Sequence, residues 1–194
     1  MSENLTFKSL GLREYNHTWQ SMKSHIREED FKDEIWFLEH PPVFTLGTAA
    51  DQKHILKAKD IPVVQSDRGG EVTYHGPGQL VIYFMIDLKR LKLGPKTLVK
   101  SLQQFTKSLL KEYSIDSKFI DGAPGVYVNE KKIASIGLRI SKGKTYHGIS
   151  INVDMDLAPF GYINPCGYEG LEVTQIKELN DKVTIKDVER LAIE

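Results

Sequence analysis

One thiol is available to this chain, Cys166, in the run Asn164-Pro165-Cys166-Gly167-Tyr168. A proline before it and a glycine after it predict a tight turn rather than the interior of a helix or strand. A lone cysteine is commonly a small buried hydrophobe. Two upstream runs make it a candidate nucleophile instead. One is Arg68-Gly69-Gly70-Glu71-Val72-Thr73-Tyr74-His75-Gly76-Pro77-Gly78-Gln79; the other is Lys132-Ile133-Ala134-Ser135-Ile136-Gly137, followed by His147-Gly148. Together they supply a thiol, a proton-transfer group and backbone N–H groups free to meet a carbonyl oxygen, which is the inventory of covalent acyl transfer.

Each run also has a plainer reading. Four glycines between Arg68 and Gln79 let backbone approach a ligand closely, and equally suit a glycine-rich hairpin with a structural arginine. Lys132 precedes Ile133, Ala134 and Ile136, and apolar walls would strip its ammonium of hydration, lowering its pKa and favouring a nearby thiolate. The adjacent Lys131 reads as an ordinary turn lysine. Gly137 and Gly148 interrupt apolar strands, where glycine weakens pairing unless a bulge or a close ligand needs the room.

The balance of charge narrows the partners. Lys and Arg number 26, as do Asp and Glu, so the net charge is zero and nucleic acid is not expected. The first residues lack the basic and apolar regions of a secretory signal, no apolar run reaches membrane-spanning length, and a single cysteine suits a reducing cytoplasm. Asn152-Val153-Asp154-Met155-Asp156 resembles the start of a calcium loop, but Leu157 and Ile163 occupy the positions that need glycine and glutamate. The six histidines show no metal-ligand spacing, and neither a P-loop nor a dinucleotide fingerprint is present. No metal and no cofactor are expected.

The elements that must position these residues follow from periodicity. Tyr15, Trp19, Met22 and Ile26 predict an amphipathic helix over about 14–27, and a second begins at Pro95 with Leu98, Leu102, Phe105 and Leu109 as its core stripe. Strands are expected at 34–38, 43–46, 79–86, 125–128, 132–140 and 147–153, the last three as an antiparallel meander turning at Glu130-Lys131 and Ser141–Lys144. Thr184 and Asp187 form a capping box for a final helix. Paired strands with segregated helices indicate an α+β protein, a single domain over residues 1–194.

Several runs carry a family resemblance in order along residues 39–168: Glu39-His40-Pro41-Pro42-Val43-Phe44-Thr45-Leu46-Gly47, the Arg68–Gln79 block, Gly125-Val126-Tyr127-Val128, Lys132 to Arg139, His147-Gly148, Asn152 to Leu157, and Asn164 to Tyr168. The sequence resembles the octanoyltransferase family, also called lipoate-protein ligase B or lipoyl(octanoyl) transferase; Phe44 stands where the family often has tyrosine. The resemblance implies the fold of biotin and lipoate ligases, a central mixed β-sheet flanked by helices. It implies transfer of an octanoyl or lipoyl group from acyl carrier protein to a lysine of lipoyl domains in 2-oxoacid dehydrogenase E2 subunits or of glycine-cleavage H protein. By position, Cys166 would form the acyl thioester and Lys132 would lower its pKa and move protons. Arg68, Gly69, Gly70, Glu71, Val72, Thr73, Tyr74 and His75, with Ser135, Ile136 and Gly137 and with Gly148, Ile149 and Ser150, would line the acyl site. Three alternatives stay open: an ATP-dependent lipoate or biotin ligase, an amidotransferase between lipoyl domains, and a non-catalytic lipoyl-domain binder.

Overall fold

The computed structural model describes residues 5–165 and 170–194. Cys166, and with it the expectation of a tight turn there, lies outside the described residues. The chain runs β1 (Leu5–Leu12), α1 (Tyr15–His25), β2 (Asp33–Glu39), β3 (Val43–Leu46), β4 (Val63–Gln65), β5 (Val72–His75), β6 (Gln79–Met85), α2 (Pro95–Glu112), β7 (Lys118–Ile120), β8 (Ala123–Val128), β9 (Lys131–Ser141), β10 (Lys144–Asn152), α3 (Ile176–Leu179) and α4 (Ile185–Ile193). Seven strands form a mixed sheet in the order β1-β2-β6-β10-β9-β8-β7, and β4-β3-β5 form a second, small sheet. Among the described strands, β1 with β2 and β3 with β4 pair in parallel and the other pairs are antiparallel. The expected mixed sheet flanked by helices is what forms.

β6 is buried along all seven residues because both faces of the sheet are covered. Leu80, Ile82 and Phe84 join Leu98, Leu102 and Leu109 of α2 and Val188 of α4 on one face. Val81, Tyr83 and Met85 join Met22 of α1, Trp36 and Tyr146 on the other. Each fully buried leucine contributes about 1.5–3 kcal/mol, which is why the stripe on α2 fixes that helix to the sheet. A third cluster, Phe44, Leu46, Val72, Tyr74, Met155, Phe160 and Ile163, seals the small sheet.

Local chemistry sets the boundaries. Both meander turns are two-residue loops with left-handed backbone throughout, Asn129 (φ 48°) and Glu130 (φ 66°), then Lys142 (φ 52°) and Gly143 (φ 88°), the geometry that matches strand twist. Lys131 is therefore the first residue of β9 and not part of the turn. α4 carries the expected capping box, Thr184 accepting from the Asp187 N–H while the Asp187 carboxylate accepts from Thr184. β1 was not foreseen, since its residues are almost all exposed at the sheet edge and show no burial-driven alternation. Among the described residues no helix is long and apolar enough to cross a membrane.

Candidate active site

A pocket opens where the large sheet meets the loop between β4 and β5 of the small sheet. Its floor is β9 and β10, its side is β6, and its roof is the loop Arg68–Glu71 running into β5. Lys132 and every expected acyl-site residue except Tyr74 line it. Strand period explains the exception: Thr73 and His75 point into the pocket, whereas Tyr74 turns to the opposite face and packs on Phe44 and Phe160, with ring centroids 5.5 Å apart in each pair.

The roof is held by Arg68, which is buried. Its guanidinium donates to the carbonyl oxygens of Thr45 (2.6 Å), Glu71 (2.7 Å) and Gly69 (3.0 Å), and its Nε to Thr45 Oγ1 (3.0 Å). Arg68 thus clamps the loop to β3 while forming part of the pocket wall. Gly70, at φ 87°, supplies the left-handed step in that loop. Gly69 N–H then donates to Leu138 O at 3.0 Å, laying the loop on β9.

The glycines opposite have a different purpose from the one their sequence suggests. Gly137 and Gly148 are directly paired across β9 and β10. A Cβ on Gly148 would lie 2.0 Å from Ile82 O, and one on Gly137 would lie 3.0 Å from Gly69 O. The room they leave is filled by main chain, so they bring the walls together and do not hollow out a slot.

Lys132 is 2% exposed. Val126 pairs with Ala134 and Tyr127 with Lys132, so Ile133 is an extra residue on β9. Ile133 and Ala134 consequently both enter the α2-side core, and Lys132 and Ser135 both reach the pocket. A bulge beside a site re-aims side chains in this way. The ammonium stands 5.3 Å from the Tyr127 ring centroid. Gly125 gives the lysine stem its space, since a Cβ there would lie 2.9 Å from Lys132 Cε. Lys132 N–H donates to Glu172 O (2.9 Å) and its carbonyl accepts from Thr174 N–H (3.0 Å). Lys131, by contrast, is half-exposed and pairs loosely with Glu172 at 3.6 Å.

The far end of the pocket is aromatic and polar. Tyr15, His75, Tyr83 and His147 line it, with His40 behind them. His147 has φ 61°, left-handed within a strand. That step breaks the alternation of β10, so Tyr146 and His147 stack at 4.9 Å and both donate to Asp67, at 2.6 and 2.9 Å. Trp19 Nε1 adds a third bond at 2.8 Å. Burial pushes the Asp67 carboxyl up, but the bonds from His147, Tyr146 and Trp19 outweigh it and hold the group down at about 2. Burial keeps His147 below the ordinary imidazole value against the pull of Asp67, lowers His40 to about 4, and drives His75 well below its usual range, with His40 adding to the effect. All three imidazoles are neutral near pH 7.

Tyr15 and Tyr83 are site residues that periodicity assigned only to the core. A polar-tipped ring in a buried stripe, which needs a partner for its hydroxyl, is the signal that marks them.

A family model described as the lipoyl protein ligase A/B catalytic domain matches residues 14–194. The octanoyltransferase of Shewanella frigidimarina is 53% identical over 186 residues, covering 95% of this chain and 86% of that protein. The octanoyltransferase of Francisella tularensis subsp. novicida is 50% identical over 190 residues, covering 96% and 92%. Among solved structures, a bipartite lipoate protein ligase of Thermoplasma acidophilum superposes with a TM-score of 0.77 at 16% identity, covering 98% of this chain and 81% of that one. The biotin protein ligase of Aquifex aeolicus gives 0.58 at 17% identity, covering 100% and 66%. At such identities the structural likeness concerns the fold.

Proposed function

The chain belongs to the lipoyl protein ligase A/B catalytic-domain family, and from that membership we propose a covalent mechanism for its activity, octanoyl transfer in protein lipoylation. It is an acyltransferase. In the reading advanced here, residues 1–194 act as one catalytic domain in a reducing cytoplasm. The donor is octanoyl-acyl carrier protein, and the acceptors are lysines of E2 lipoyl domains and of H protein. The Thermoplasma ligase, described together with its E2 lipoyl domain, supports that acceptor class.

Cys166 is the nucleophile and Lys132 its proton partner. The Cys166 thiol gives its proton to the Lys132 amine and attacks the donor thioester. The new C–S bond forms as the carrier's C–S bond breaks, and the carrier thiol leaves with the proton from Lys132. The acceptor lysine amine then attacks the acyl-enzyme, an amide forms, and a proton returns through Lys132 to the cysteine sulfur. Thioester exchange is nearly isoenergetic and thioester-to-amide transfer runs downhill, so neither half needs ATP.

The observation that carries this reading is the seating of Lys132. It is buried at the pocket, and its backbone is bonded to Glu172 and Thr174, a stretch beginning six residues after Cys166.

Purified protein mixed with octanoyl carrier protein, without nucleotide or magnesium, is expected to gain one octanoyl group on Cys166 by intact mass. An apo lipoyl domain should then discharge it as octanoyl-lysine. Normal turnover by Cys166→Ala, or activity from free octanoate that requires ATP, would overturn the covalent reading.

A further inference from the structure

The ladder between β9 and β10 ends at the pair Ala134–Ile151. Two residues before that pair, at Lys132, β9 has a different neighbour. Lys132 forms a parallel bridge with Val173, through its two backbone bonds to Glu172 and Thr174. Segment 172–177 therefore fills the place that β10 leaves. It is also tied to the end of β10, where Lys177 N–H donates to Val153 O (2.9 Å) and Met155 N–H to Gln175 Oε1 (2.7 Å). Asn152, the last residue of β10, spans the opening: its Nδ2 donates to Thr174 O at 3.0 Å.

That one bond sets the orientation of several others. A carbonyl oxygen only accepts, so Thr174 O holds the Asn152 amide with its nitrogen toward the segment and its oxygen away. Asn152 Oδ1 then accepts from Gln79 Nε2 (2.9 Å), which also donates to Tyr74 O (3.3 Å). Gln79 Oε1 is left to accept from His75 Nδ1 (2.7 Å), so that nitrogen carries the ring proton. The donors run in one direction, from the pocket wall at His75 to the carbonyl of Lys132, and each bond polarises the next. Gln79, Asn152 and Thr174 are buried, and none of the three is among the described residues that line the pocket.

We infer that Asn152 is a positioning residue for acyl transfer: it fixes the segment that seats Lys132, and Gln79 holds its amide in the one orientation that can do so. An unmet buried carbonyl costs about 1–3 kcal/mol, so without Asn152 the segment shifts to satisfy Thr174 O. Both backbone groups of Lys132 are bonded to that segment, and the ammonium moves with it. The inference rests on the reading of Lys132 as the proton partner of Cys166.

Asn152→Leu removes both amide bonds at nearly constant volume. In steady-state transfer from octanoyl carrier protein to an apo lipoyl domain it is expected to lose about 10²-fold in kcat, the cost of misplacing a reacting group by about 1 Å. Both KM values should stay within about twofold, and alkylation of Cys166 at pH 7 should slow. Gln79→Met leaves the Asn152 amide free to turn and should lose about tenfold in kcat, the worth of one hydrogen bond. Thr145→Val is the control for lost stability, since it cuts a buried bond to Phe84 O (2.6 Å) at the other end of β10, and it should keep kcat within about twofold. An unchanged kcat in folded Asn152→Leu, a loss confined to KM, or an equal loss in Thr145→Val would overturn the inference. If Asn152→Leu does not fold, an unchanged kcat in Gln79→Met overturns it. Lys132→Ala separates the inference from its premise. Full transfer by that variant defeats the role of Lys132, whereas loss there with none in Asn152→Leu defeats the inference alone.

Discussion

Lys131 and Lys132 are adjacent in sequence and opposite in fate, and the difference is physical. The first is half-exposed beside Glu172, a pairing worth about 0–1 kcal/mol at a surface. The second is buried at the pocket. Lys132→Ala is expected to lower transfer by about 10²–10⁴-fold, the usual worth of a positioned proton-transfer group, and to slow alkylation of Cys166 near neutral pH. Lys131→Ala should stay within about twofold on both measures; equal losses at the two positions would defeat the assignment. Sequence separates the buried lysine from the exposed one, because apolar residues follow Lys132, but it puts Lys131 in the turn when Lys131 opens β9. It does not disclose how Lys132 and Ser135, three apart, come to share a face, since that depends on the extra residue at Ile133 and on the space at Gly125. Arg68 is legible as a pocket residue, but its two bonds to Thr45 belong to a tertiary contact with β3 that lies 23 positions away, while those to Gly69 and Glu71 stay within its own loop.

Among the elements, β9 and β10 decide the site. Their hairpin was evident from alternation and turn residues, and so were α2 and the capping box of α4, each a local signal. The direction of His147 was not, because regular alternation would send it to the face opposite Tyr146, and one left-handed residue reverses that. Edge strands β1 and β7 were also missed: neither has a buried side to write a pattern. The close pairing of β10 with β6 yields a sharp expectation. Gly148→Ala places a Cβ 2.0 Å from Ile82 O and should cost about 2–3 kcal/mol in urea unfolding, whereas Gly161→Ala, with nothing within 4 Å, should change stability by less than about 0.5 kcal/mol. Similar midpoints for the two variants would contradict the packing described.

For the whole molecule, three neutral imidazoles buried together make stability depend on pH in one direction. His40, His75 and His147 are each depressed in the folded protein, so the unfolded chain takes up protons first as pH falls below about 6.5. Their contribution is complete above that value and is lost as the pH drops toward the folded values, about 4 for His40. The melting temperature should therefore fall steadily between about pH 6.5 and 4, and His40→Gln should make that slope shallower; a flat profile over this range would refute it. The same compactness bears on how such a pocket changes over generations. Where Gly69, Gly137 and Gly148 meet the opposing walls, the bore is set by carbonyl oxygens and not by side chains. A point mutation there breaks the sheet before it narrows the channel. Descendants that accept longer or shorter chains must then arise by insertion or deletion in the roofing loop, so this lineage is expected to hold its chain-length preference through extensive sequence drift and to relinquish it only in jumps.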